Sequence, residues 1–159
     1  MLQQAVCPHC GSTNRIAARA AASSAPNSAK CGRCAGNLML HHPLEVDDEG
    51  LARHLQQTRG LVLLDVWAPW CGPCRAMAPN FAEAARLMAG EARLLKLNAD
   101  TSSTVRHLGV SGIPTLLLFR DGSIIARKAG LMRPDGLVGW VREHLFAAGS
   151  GSTERKEQA

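Results

Sequence analysis

No run of eighteen or more apolar residues occurs in the 159-residue chain, so no segment is expected to cross a bilayer as a helix. The opening residues, Met1-Leu2-Gln3-Gln4-Ala5-Val6, reach Cys7 with neither a basic start nor an apolar stretch of secretory length. No signal peptide is expected from them. Tyrosine is absent, and no functional reading turns on that. Acidic residues are absent from positions 1–42, which carry Arg15, Arg19, Lys30 and Arg33. Positions 43–148 hold twelve Lys/Arg against eleven Asp/Glu, so most of the formal +5 lies in the first segment. That is a weak case for nucleic acid, whose binding needs a concentrated basic face. Finally, none of the six cysteines lies outside a C-x-x-C pair: Cys7/Cys10, Cys31/Cys34 and Cys71/Cys74. With no sign of an oxidising address, a cytoplasmic location is expected, where paired cysteines bind metal or carry out redox chemistry.

What is present is enough for one ordinary domain and a small appendage: 46% of the residues are hydrophobic. Composition divides the chain into residues 1–42, with two cysteine pairs separated by an Ala/Ser-rich stretch at 16–29, residues 43–147, and a polar flexible tail at 148–159. In the middle zone, residues 44–46 form a strand candidate, and Asp47 or Asp48 caps a helix through residue 55. The near-continuous apolar run 61–67 predicts a strand covered on both faces. Residues 74–88 carry Met77, Phe81, Ala84, Ala85 and Met88 at helical spacing, with Pro79 expected to kink the helix. A strand at 94–98 and a short helix at 101–108, closed by Gly109, follow. Two β runs at 115–120 and 123–128 flank Asp121-Gly122, which suits a tight antiparallel turn. Pro134 opens a last helix with Leu137, Trp140, Val141 and Leu145 on one face. The order βαβαβαββα implies an α/β domain, a mixed central sheet with helices on both faces.

The segment Trp67-Ala68-Pro69-Trp70-Cys71-Gly72-Pro73-Cys74 lies between the buried strand and the following helix. Cys71 falls at a helix N-terminus, where unpaired N–H groups and the helix dipole favour a thiolate. Pro73 suits an early helical position, and two intervening residues bring Cys74 within bonding reach of Cys71. Asp65, inside the apolar strand, is costly to ionise there, which raises its pKa towards a proton-transfer range; a solvated acid at a strand end is the alternative. Thiolate tuning alone supplies little. Lowering a thiol from pKa ~8.5 to ~7 raises its thiolate fraction at pH 7 about fifteen-fold, and lost nucleophilicity takes back about five-fold. The net gain of roughly three-fold leaves docking and the proximity of Cys74 as the main sources of rate.

The W-A-P-W-C-G-P-C segment resembles the active site of thioredoxins, and the resemblance extends over about residues 43–147 through Lys96-Leu97-Asn98-Ala99-Asp100, Gly112-Ile113-Pro114-Thr115 and Ala129-Gly130. It implies the thioredoxin fold and a protein-disulfide reductase. By that resemblance Cys71 is the attacking thiol and Cys74 the resolving one. Asp65 is the buried carboxylate that manages the proton of Cys74, with Lys96 its neighbour, although a surface lysine remains open for Lys96. Pro114 is the cis proline facing the cysteines, against a background in which only about 5–6% of folded X-Pro bonds are cis. Ile113 presents backbone to the substrate chain, and Trp70, Gly72, Pro73 and Gly130 border the docking groove. The implied partners are disulfide-bearing proteins and an NADPH-dependent thioredoxin reductase, with the chain acting as a monomer. Arg75 departs from the lysine many family members carry after the second cysteine and keeps its charge.

The first two cysteine pairs form C-x₂-C-x₂₀-C-x₂-C, the spacing of two knuckles that close a tetrahedral zinc shell. Cys7, Cys10, Cys31 and Cys34 are therefore expected to hold one structural Zn²⁺, with no organic cofactor. A mixed site drawing on His9, His41 or His42, or two disulfides, are the alternatives. A segment of this size with little apolar content is expected to need such a staple. Finger and redox motif together resemble zinc-binding thioredoxins of the thioredoxin 2 type. Two further readings stay open: a finger that senses oxidation by releasing metal, and a finger that binds a partner with the redox fold as scaffold.

Overall fold

The computed structural model describes residues 1–22 and 29–146. The expected tail at 148–159 lies outside the described residues, as does part of the Ala/Ser-rich stretch. Seven strands and five helices follow in the order β1 (Gln4–Val6), β2 (Thr13–Arg15), α1 (Ala18–Ala22), β3 (Leu44–Val46), α2 (Asp48–Gln57), β4 (Leu61–Trp67), α3 (Gly72–Leu87), β5 (Ala92–Asn98), α4 (Thr104–His107), β6 (Thr115–Arg120), β7 (Ser123–Ala129) and α5 (Pro134–Phe146). No helix among the described residues is long and apolar enough to cross a membrane.

The main sheet has the order β3-β5-β4-β6-β7, with β3, β5 and β4 parallel and β6 and β7 antiparallel. Side-chain alternation divides its two faces. Leu61 and Leu63 of β4, Leu94 of β5 and Leu116 and Leu118 of β6 pack on Met77, Phe81, Leu137 and Val141 of α3 and α5. Val62, Leu64 and Val66, with Leu95, Leu97 and Leu117, pack on the other side with Leu51 of α2 and the half-buried Val105 and Leu108. β4 is buried along its length because it is central to the sheet and both faces are covered.

Asp47 caps α2, its carboxylate accepting from the Gly50 amide at 2.7 Å. α3 begins at Gly72, two residues before the expected start, because Cys71 itself is the N-cap. The helix carries on past Pro79, held by the burial of Phe81, Ala84 and Ala85. The helix expected at 101–108 is instead a 3₁₀ turn (Ala99–Thr101) and the short α4. Side chains interrupt it: Asn98 accepts from the Asp100 amide at 2.9 Å, and the Asp48 carboxylate takes hydrogen bonds from the Ser102 hydroxyl and, at 2.9 Å, the Ser103 amide. Asp121 and Gly122 form the β6–β7 turn at φ 49° and 89°.

The N-terminal segment has more apolar content to bury than its composition suggested. Leu2, Ala5, Ile16, Ala21, Leu38 and Met39 close around Cys7 and Cys31 in a small core of their own. β1 and β2 pair antiparallel. The segment is also joined to the main domain: the Leu2 amide donates to the Gly90 carbonyl at 3.0 Å, and Gln4 and Arg59 exchange backbone hydrogen bonds. Gly90 sits at φ 85°, and a Cβ there would overlap the Ala21 carbonyl oxygen.

Candidate functional site

The turn out of β4 delivers Cys71 to the first position before α3, where its sulfur accepts from the Cys74 amide at 3.2 Å. The two cysteines are joined as a disulfide, with Cα atoms 5.2 Å apart. Both are buried to within a few per cent. The loop before β6 closes over them. The Ile113–Pro114 peptide is cis, and the Ile113 carbonyl oxygen lies 3.9 Å from the Cys71 sulfur. The Gly130 amide donates to the Pro114 carbonyl at 3.0 Å, which fixes that loop from the far side. A shallow cavity of about 540 Å³ opens beside the disulfide, bordered by Trp70, Gly72, Pro73, Val105, Val110 and Ile113. Trp70 is 67% exposed, and its indole N–H is tied to the Asp100 carboxylate at 2.9 Å. Sequence reading placed Asp100 in the thioredoxin-like segment 96–100 but gave it no role; the contact with Trp70 comes from the turn after β5.

Asp65 shares the β4 face of Leu61 and Leu63, towards α3. It has no exposed surface, and neither carboxylate oxygen has a hydrogen-bond partner. Burial pushes its pKa up to about 7, against a smaller pull down from Lys96 and with a further push from Glu45. Lys96 is in register with Asp65 across β4 and β5, and Glu45 is in register with Lys96 across β5 and β3. The Lys96 ammonium does not close on Asp65. It sits 4.4 Å from the centroid of the Trp67 ring and 3.7 Å from the Glu45 carboxylate. Glu45 was not singled out from sequence, since only the β3–β5 register brings it into this row.

The four remaining cysteines form a second cluster. All four sulfurs lie within 4.8 Å of one another, with Cys7 to Cys34 at 3.6 Å and Cys10 to Cys31 at 3.7 Å. A disulfide needs about 2.05 Å, whereas four sulfurs about 2.3 Å from one ion in a tetrahedron stand about 3.8 Å apart. The two knuckles repeat one backbone pattern. In the first, Cys7 N–H donates to Ser12 O at 2.8 Å and Gly11 N–H to Cys7 O at 3.0 Å. In the second, Cys31 N–H donates to Gly36 O at 2.8 Å and Ala35 N–H to Cys31 O at 2.9 Å. Amides of His9 and Arg33 donate to the sulfurs of Cys7 and Cys31 at 3.4 and 3.3 Å. The Ser12 hydroxyl, 3.1 Å from the Cys31 sulfur, pulls that thiol well below its ordinary pKa. Cys34 goes the other way: the Gly36 amide lowers it, but desolvation and the three neighbouring sulfurs win and push it up. Four sulfurs so close ionise together only around a cation, so the residues fit a tetrathiolate metal site. No histidine belongs to the cluster.

The family model described as thioredoxin matches residues 42–143. A thioredoxin of Pseudomonas aeruginosa is 39% identical over 108 residues, covering 67% of this chain and 100% of its own length. Thioredoxin C-3 of Corynebacterium nephridii is 33% identical over 143 residues, covering 88% of this chain and 94% of its own. An alignment of that extent reaches into the N-terminal segment. A mutant thioredoxin from Halobacterium salinarum superimposes with a TM-score of 0.61 at 29% identity, covering 69% of this chain and 96% of that one. With the disulfide at the head of α3 and the cis proline opposite it, these matches put the chain in the thioredoxin family, as a thiol–disulfide oxidoreductase.

Proposed function

We propose that this thioredoxin works as a protein-disulfide reductase in the cytoplasm, with Cys71 and Cys74 cycling between dithiol and disulfide. The observation that carries the reading is the Cys71–Cys74 pair at the N-terminus of α3, with the Ile113 carbonyl 3.9 Å from the Cys71 sulfur. In the reduced protein the Cys71 thiolate attacks one sulfur of a substrate disulfide, forming a mixed disulfide and releasing the other substrate sulfur as a thiolate. Cys74 then gives up its proton and attacks the Cys71 sulfur. The mixed disulfide breaks, the substrate leaves with two thiols after protonation, and the protein keeps the Cys71–Cys74 disulfide. An NADPH-dependent thioredoxin reductase returns the two electrons.

Asp65 is the acceptor for the Cys74 proton in this reading, because a carboxyl with pKa about 7 takes and returns a proton near neutral pH. Burial sets that value, and Lys96 and Glu45 adjust it in opposite directions. Ile113 and Pro114 supply backbone to an extended substrate segment, and Trp70, Gly72, Pro73 and Gly130 bound its groove. The protein acts as a monomer, with a catalytic domain over about residues 43–147 and a finger over 1–42. Cys7, Cys10, Cys31 and Cys34 hold one Zn²⁺, which supplies a closed structural shell and takes no part in the dithiol chemistry.

The test is turnover of a protein disulfide, such as insulin, with NADPH and thioredoxin reductase, using wild type, Cys71→Ser and chelator-stripped protein with zinc quantified in each. The reading expects about one zinc per chain, turnover in wild type and stripped protein, and none in Cys71→Ser. No turnover by folded, zinc-loaded wild type would contradict it and turn attention to the finger as a binding module.

A further inference from the structure

The catalytic sheet buries a positive charge with no acid beside it. Arg93 lies on β5 in register with Val62 and is 1% exposed. It shares the sheet face of Leu95 and Leu97, opposite α3. β3 pairs only with Leu95, Lys96 and Leu97, so Arg93 stands beyond the end of that edge strand. The N-terminal segment reaches it instead: Nη2 donates to the Val6 carbonyl at 3.3 Å, one residue before Cys7. Among the described residues, Nε and Nη1 have no hydrogen-bond partner. None of the ion pairs among the described residues includes Arg93. The titratable side chain that feels it from α2 is buried His54, which burial and then Arg93 hold neutral, with a pKa near 4. Burial works against the Arg93 charge, and the Cys7 sulfur is what favours it. An arginine buried this deeply ordinarily has a partner, since an uncompensated interior charge is strongly destabilising.

We infer that Arg93 is the counter-cation of the finger's metal centre. The inference rests on the four-cysteine metal reading above. A divalent ion on four thiolates carries a net charge of −2; Cys7 and Cys31 are its buried cysteines, Cys7 being next in sequence to the Val6 carbonyl that Arg93 holds, while Cys10 and Cys34 are exposed. The metal centre therefore does not end with the finger. Its outer shell includes a residue of the catalytic sheet, and metal occupancy and sheet stability are linked. By reciprocity, the factor by which Arg93 tightens the metal is the factor by which the metal steadies a sheet containing Arg93. Arg93 is here a positioning residue for the metal and has no part in the dithiol chemistry.

The test uses the full chain as wild type, Arg93→Lys, Arg93→Met and Cys34→His. Metal content, zinc affinity by chelator competition, and the denaturant midpoint with and without zinc are measured on each. All three tryptophans, Trp67, Trp70 and Trp140, lie in the catalytic domain, so their fluorescence reports that domain alone. Arg93→Met should weaken zinc at least tenfold, the scale of an outer-shell partner's loss, while Arg93→Lys stays within about threefold of wild type. The zinc-dependent rise in midpoint should shrink in Arg93→Met and persist in Arg93→Lys. Cys34→His keeps the protein core and Arg93 intact but takes the site to −1, so its rise should fall below that of wild type; this arm decides the matter if Arg93→Met does not fold. Unchanged zinc affinity in Arg93→Met, or a full rise in Cys34→His, overturns the role of Arg93 and leaves the metal reading standing. A wild-type protein that binds no zinc overturns both.

Discussion

At the residue scale the chemistry depends on where burial forces a proton to stay. Asp65 has a folded pKa near 7 against an ordinary 3.8, so between those values the unfolded chain loses its proton while the folded one keeps it. Stability therefore falls as pH rises through that window, by up to about 4 kcal/mol above pH 7. Asp65→Asn removes this loss without changing shape. Denaturation curves should find the variant close to wild type at pH 4 and more stable by as much as ~4 kcal/mol at pH 8, with a slower resolving step. A stability difference independent of pH would show that the Asp65 pKa is not raised in the folded state. The row Glu45–Lys96–Asp65 adds a second prediction. Lys96→Met should move the inflection near pH 7 in the rate profile upwards and Glu45→Gln should move it downwards, since one deletes an attraction and the other a repulsion. Ala35 is a third case. It holds φ 64° where Gly11 holds 78° in the first knuckle. Ala35→Gly should raise the unfolding free energy of the zinc-loaded finger by about 0.5–1 kcal/mol, read from denaturation curves.

At the scale of elements, what was legible was whatever the chain repeats at a fixed period. β4 could be read because seven residues of it are nearly all apolar, and the β6–β7 turn because Asp121-Gly122 suits positive φ at both positions. The Cys71–Cys74 pair and the clustering of Cys7, Cys10, Cys31 and Cys34 were legible from their C-x-x-C spacing, and the cis bond before Pro114 from the family resemblance. The helix at 101–108 was misread because Asp48, more than fifty residues away, captures Ser102 and Ser103. Glu45 and Arg93 were missed for a related reason: strand register and the edge of the sheet determine what they meet. β1 and β2, three residues each, are too short to show a period. The contact between finger and domain is equally invisible in sequence, and Gly90 tests it. Gly90→Ala combines a φ of 85° with overlap onto the Ala21 backbone, so it should cost about 2 kcal/mol or more and loosen the finger, read as faster amide exchange at Leu2.

At the scale of the whole molecule, two cysteine chemistries stand on one sheet and are kept apart by its topology. The dithiol sits at the C-terminal end of β4, where the N-terminus of α3 and the loop before β6 meet. The four-cysteine cluster shares a hollow with Leu44, Glu45 and Val46 of β3 and with Arg53 and His54 of α2, and its segment is joined to the domain through Leu2, Gln4 and Arg93. In the proposed account, metal at the finger bears on the stability of the platform, and the groove beside the dithiol handles substrate. The central claim is that Cys71 attacks and Cys74 resolves. Its most direct measurement is the mass of the covalent adduct formed when reduced Cys74→Ser meets a disulfide-bearing protein. The account predicts a stable mixed disulfide through Cys71, one substrate per chain, dispersed by dithiothreitol and absent in Cys71→Ser. An adduct through any of the four finger cysteines, with Cys71 left free, would contradict it.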